Sequence, residues 1–150
     1  GKAKSMRYQK DFDPNRRNRL GFALSDITQH LPGAFLIYKA DPENDQILFA
    51  NQELVTYAGC KNLDEFMQYS KHSFRNLIRS DEQEAVEKSI WQQIRSQAAG
   101  TNDFVQFHFV KKDGSTHLVL DHGRIVESNH YGNVFYVLIM DCQLLDEHYD

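Results

Sequence analysis

Seven histidines and two cysteines are the side chains best suited to hold a metal, and their spacing does not support that use. Zinc sites draw on ligands at short, regular intervals such as H-E-x-x-H or paired C-x-x-C. Here Cys60 and Cys142 lie far apart in sequence, so neither a metal centre nor a disulfide framework is predicted. His108, His117, His122 and His130 cluster in the last third. His108 and His117 flank Asp113-Gly114 and are expected as neighbours across a hairpin. His122 follows Asp121, but successive strand residues point to opposite faces. Surface histidines on a sheet are the expectation, with no metal assigned.

Motifs of covalent or phosphoryl chemistry are missing: there is no G-x-S-x-G, no phosphate-cradling glycine loop and no GGDEF. The acidic pairs Asp64/Glu65 and Asp81/Glu82 suit helix starts, where they meet the positive end of the helix dipole. An acid or base working inside an apolar cavity, as in a cone-shaped isomerase, would have to be Asp121 or His122. No catalytic residue is assigned, and the chain is not expected to be an enzyme.

The elements that must position these residues follow from periodicity. Leu20, Leu24, Ile27 and Leu31 step by four, three and four, a helical seam that Pro32-Gly33 ends. The seam stops upstream at Arg17 and Asp13. It is too short for a free coiled coil, so it packs either on its own domain or on a second copy. Ala34 to Lys39 and Gln46 to Ala50 read as two strands around the turn cluster Asp41-Pro42-Glu43-Asn44-Asp45. Asn51 is a predicted N-cap for a helix over 52–58, and Gly59 suits its end. A second short helix opens at Asn62 or Asp64. Ser80-Asp81-Glu82-Gln83 has capping-box spacing ahead of a helix carrying Val86, Ile90 and Ile94. Val105, Phe107 and Phe109 alternate with polar residues, Asp113-Gly114 turns the chain, and strands follow over 118–126 and 134–140.

Helix, two strands, several helices and a three-strand meander make an α+β class, with a five-stranded antiparallel sheet and helices on one face. A small-molecule pocket tends to lie between such a sheet and its helices. With 150 residues, 41% hydrophobic and 25% charged, one domain with its own core is expected. Net charge is −4, yet the first 19 residues are basic and the remainder acidic. An acidic body argues against a nucleic-acid partner. No apolar run approaches membrane-spanning length. The start at Gly1 suggests a piece of a larger protein, and two cysteines with no supported pairing make a reducing cytoplasm the default compartment, with a membrane-attached parent protein left open.

In order and spacing, several of these pieces resemble PAS domains from about Gln29 to Cys142. Leu31-Pro32-Gly33-Ala34-Phe35 resembles the approach to the first strand. Phe49-Ala50-Asn51-Gln52-Glu53-Leu54 is similar to the strand-to-helix junction, where the Asn caps and the Leu turns inward. Ala58-Gly59-Cys60 with Asp64-Glu65-Phe66 resembles the following helix. Ile78-Arg79-Ser80-Asp81 stands where the family usually has His-Pro-Asp-Asp. Lys111-Lys112-Asp113-Gly114-Ser115 resembles the basic Asp-Gly hairpin. Phe135 to Asp141 resembles the last strand, with Asp141-Cys142-Gln143 in place of an Asp-x-Thr exit.

The likeness is to sensory PAS modules fused to GGDEF diguanylate cyclases, and it implies a non-catalytic bacterial signalling domain. A basic tail would occupy 1–19, an N-terminal helix 20–31, the PAS domain 32–142, and the start of a linker helix 143–150. A ligand wall is expected from Ile37, Phe49, Leu54, Phe74, Ile90, Phe107, Val119 and Ile139, with a side-chain-filled core as the alternative for each. Leu20, Leu24, Ile27 and Leu31 would form a homodimer interface, and Asp141 the signal exit toward an output domain beyond Asp150. A histidine kinase output and a ligand-free interaction module are the other readings. Neither Cys60 nor Cys142 sits in the helix motif of flavin-binding relatives, and Ser80 to Ser96 offers no haem-ligating His, so the cofactor is left unknown.

Overall fold

The computed structural model describes residues 15–17 and 21–148. The described chain separates at Pro32/Gly33 into two compact units. In the first, helix α1 spans Leu24–His30. It begins later than the Leu20 seam predicts. Gly21 holds a left-handed φ of +86°, and the Ala23 amide donates to Asp26 Oδ2 at 2.9 Å, which fixes the helix start there. Leu31 is already extended, as a residue before proline must be. Leu24 and Ile27 are exposed and Leu31 half-buried, while Leu20 lies outside the described residues.

The second unit runs β1 (Ala34–Lys39), β2 (Ile47–Ala50), α2 (Gln52–Tyr57), α3 (Leu63–Ser70), a 3₁₀ turn (Phe74–Leu77), α4 (Gln83–Ser96), β3 (Asn102–Val110), β4 (Thr116–Ser128), β5 (Gly132–Asp141) and α5 (Cys142–His148). All strands join one antiparallel sheet in the order β2-β1-β5-β4-β3, so the first and last strands lie side by side at its centre. Among the described residues, no helix is long and apolar enough to cross a membrane.

Asn51 joins sheet to helix. Its Oδ1 accepts from the Leu54 amide, capping α2, and from the Phe35 amide of β1. Its Nδ2 donates to the Gly33 carbonyl. Leu54 is thereby turned fully inward. At the other end of α2, the Gly59 amide bonds Thr56 O and the Cys60 amide bonds Val55 O, a Schellman closure that the φ of +87° at Gly59 permits.

The capping box expected at Ser80–Gln83 does not form. Gln83 Nε2 donates instead to the Arg75 and Ile78 carbonyls. Glu82 is the N-cap residue, and its carboxylate accepts from the His108 amide at 2.8 Å. The reason lies in β3, an edge strand whose outward backbone groups need partners. Arg79 N donates to His108 O, while Gln93 on α4 both donates to Phe104 O and accepts from Phe104 N. The helix side chains thus close an otherwise open edge.

Alternation sorts the sheet into two faces. Leu36 and Tyr38, Phe107 and Phe109, Val119 and Asp121, and Phe135, Val137 and Ile139 point toward the helices and are buried. On the other face Phe104, Leu118, Tyr136, Leu138 and Met140 are exposed.

Candidate functional site

The interior between sheet and helices gathers six of the eight predicted ligand-wall residues. Leu54, Phe74, Ile90, Phe107, Val119 and Ile139 all belong to one buried cluster. Ile37 and Phe49 do not. They pair with one another across β1 and β2 on the outer face, half-buried, with Phe49 against Phe35 at 6.3 Å between ring centroids. The inner positions of β1 are Ala34, Leu36 and Tyr38. Apolar residues on both faces of that strand leave no alternation from which to choose between them.

Tyr38 is the aromatic centre of this interior. It stacks on Phe74 with centroids 4.2 Å apart and rings nearly parallel, and it leans on Phe135 at 5.1 Å. Trp91 from α4 meets Phe135 edge-on at 5.5 Å. Glu87, one turn earlier on α4, pairs with Arg75 at 3.1 Å. Asp45 accepts from Ser73 Oγ and from the Arg75 amide.

Two carboxylates point into the same apolar layer. Asp103 and Asp121 are each only 1% exposed. Asp121 lies opposite Val105 and Asp103 opposite Gly123, which makes them diagonal neighbours on the inner face of β3 and β4. A Cβ at Gly123 would come within 2.5 Å of Asp103 Oδ2, so only glycine leaves room for this carboxylate. Asp103 Oδ2 and both oxygens of Asp121 have no hydrogen-bond partner among the described residues. Burial pushes Asp103 up to about 6. Burial, then the charge of Asp103, pushes Asp121 well above the carboxylate range. Burial, followed by Asp121, Asp103, Asp45 and Glu87, raises the Tyr38 phenol in turn. The same period-two reading that marks Phe107 and Phe109 reaches Asp103 two steps earlier. Asp121 stands one step beyond Val119, so both were within reach of the sequence.

The junction of β5 and α5 is built around Asp141. Its Oδ1 accepts from the Gln143 and Leu144 amides and so caps α5, while Oδ2 accepts from the Tyr57 hydroxyl at 2.7 Å. His117 Nδ1 lies 3.5 Å from the same Oδ2. Burial alone would raise the Asp141 carboxyl, but these donors outweigh it and hold the group below its usual value. Tyr57 packs edge-on against the buried Phe109, which links this junction to the interior.

The histidines scatter. Phe109, not His108, stands opposite His117, so the two are one residue out of register. His108 contacts Glu82 and His117 faces Asp141. His122 stacks on Phe104 and bonds Asn102. The described residues contain no group of three side chains able to hold a metal ion. Cys60 is buried and Cys142 half-buried, both as free thiols.

No known family model matches the chain, and no curated protein does. Solved structures do match. The PAS domain of a Desulfitobacterium hafniense protein covers 77% of this chain and 98% of its own, with a TM-score of 0.57 at 15% identity. This is the PAS fold. The PAS domain of an HTR-like protein from Haloarcula marismortui covers 94% of this chain and 99% of its own, at a TM-score of 0.59 and 16% identity. A LOV protein from Rhodobacter sphaeroides gives 0.60 at 14% identity, over 79% of this chain and 64% of its own. At such identities the likeness is one of fold. Within the PAS fold, the interior just described lies between the sheet and its helices, and Asp141 closes the last strand.

Proposed function

We propose that this PAS domain is the sensory and regulatory part of a bacterial signal-transduction protein. A small ligand held between the sheet and its helices, or a change in how two copies pair, biases the exit helix and through it an output domain beyond Asp150. The observation that carries this reading is the double role of Asp141. It caps α5 and accepts from Tyr57, which itself packs on the buried Phe109. A shift of the interior aromatics therefore has a short mechanical route to the exit. Leu54, Phe74, Ile90, Phe107, Val119 and Ile139 would form the ligand wall. The likeness of the sequence to modules preceding GGDEF domains favours a diguanylate cyclase as output, with a histidine kinase as the other candidate. The domain itself would have no catalytic role. The test is amide exchange at Gln143 and Leu144 with the interior loaded and stripped: a change in protection supports the reading, and identical protection opposes it.

A second reading rests on a different feature. Leu24 and Ile27 on α1 are exposed, as are Tyr136, Leu138 and Met140 on the outer sheet face. These surfaces suit pairing of two copies through the predicted seam of Leu20, Leu24, Ile27 and Leu31. Leu24→Asp should then convert a dimer to a monomer in sedimentation, and an unchanged profile opposes it.

A further inference from the structure

We propose that the interior of this domain recognises a small organic cation with a primary ammonium head, held between Asp103 and Asp121 and walled by Tyr38. This rests on the ligand-binding reading above and names the class of ligand.

The three unpartnered oxygens, Asp103 Oδ2 and Asp121 Oδ1 and Oδ2, lie on adjacent inward positions of one hairpin. An ammonium group has three N–H donors, a full positive charge and no acceptor, which matches that set. Two neighbouring carboxylates buried among apolar side chains are costly unless protons or a cation neutralise them. Among the described residues no Lys, Arg or His is buried. The groups facing Tyr38 from neighbouring elements are also mostly acidic: Glu87 from α4, paired to Arg75, and Asp45 from the turn before β2. Among the described residues no buried cation lines this layer, which disfavours an anionic ligand. Tyr38, stacked on Phe74 by one face, lines this layer as an aromatic neighbour for the organic part of such a cation. Gly123 keeps Asp103 in place, since any side chain there would displace its carboxylate.

The test uses the purified 150-residue chain. Thermal unfolding and titration calorimetry are run with ethylammonium, ethanolamine and 1,4-diaminobutane, alongside alcohols and carboxylic acids of matching size. Saturable binding by at least one amine is expected, with the unfolding midpoint raised by about 5–10 °C near saturation. The effect should shrink at pH 5, where protons compete for the carboxylates. Asp121→Asn keeps the shape and removes the carboxyl that would give up its proton to face the ammonium group. It should fold, as circular dichroism would verify, and lose at least tenfold in amine affinity. Binding of only alcohols or acids overturns the ammonium assignment while leaving a ligand pocket standing. Stabilisation by acid alone, with no compound of any class bound, overturns both and leaves a carboxyl pair that shares a proton. Equal amine affinity in Asp121→Asn places any binding elsewhere and also overturns the proposal.

Discussion

The Tyr57 hydroxyl reaches across 84 residues of sequence to donate to Asp141 Oδ2 at 2.7 Å, tying α2 to the cap of α5. Tyr57→Phe removes one donor to a charged acceptor and should cost about 1 kcal/mol in urea unfolding at pH 7. Asp141 is held below its ordinary value, so its contribution is present above about pH 4 and is lost as pH falls. The difference between wild type and variant should therefore close in acid. Faster amide exchange at Gln143 and Leu144 is expected alongside it. An unchanged exchange pattern means the cap does not depend on Tyr57.

Asp103 and Asp121 give the opposite pH sign. Both are raised in the folded state, Asp103 to about 6, so folding takes up protons as pH falls. For Asp103 the stabilising contribution is complete below the unfolded value near ~4 and is lost as pH rises through about 6. Asp103→Asn should be more stable than wild type at pH 8 by about 2–3 kcal/mol, an advantage that disappears by pH 4. A variant no more stable at pH 8 than at pH 4, relative to wild type, contradicts the buried placement of this carboxyl.

Gln93 holds the edge strand by both ends of its amide, bonding N and O of Phe104 at 2.9 Å each. Gln93→Ala returns those groups to water at an exposed site. A loss of about 1 kcal/mol is expected, with faster exchange at Phe104. Light scattering on warming should also rise, because an unpaired edge templates association. Gln93→Glu keeps the acceptor but not the donor, and should fall between the two.

Asn51 makes three bonds at full burial, to Leu54 N, Phe35 N and Gly33 O. Asn51→Ala removes a helix cap and strands a buried amide, for a combined cost of about 3 kcal/mol. Chemical denaturation checks this, and a cost below that of an ordinary cap replacement would show that water substitutes.

Much of this architecture was readable from the chain, for physical reasons. Period-two alternation in Val105, Phe107 and Phe109, the Asp113-Gly114 turn and the Asn51 cap are local signals, and each marks the element it helps to build. What escaped depended on contacts distant in sequence. The start of α1 is set by Gly21 and Asp26 rather than by the leucine seam. Glu82 left its expected cap environment because the β3 edge, 26 residues away, needed an acceptor. Ile37 and Phe49 carry the composition of a core but face outward, since β1 is apolar on both sides. Asp103 was masked by its charge, although its position in the alternation places it inside.

Native mass spectrometry of the freshly purified chain, repeated after incubation with a deproteinised cell extract, tests most directly whether this interior is a ligand site. One small non-covalent adduct, lost on denaturation and absent from Asp121→Asn, is the expected result. A bare chain under both conditions would contradict it and would leave pairing of copies through the exposed faces as the better description of what this domain does.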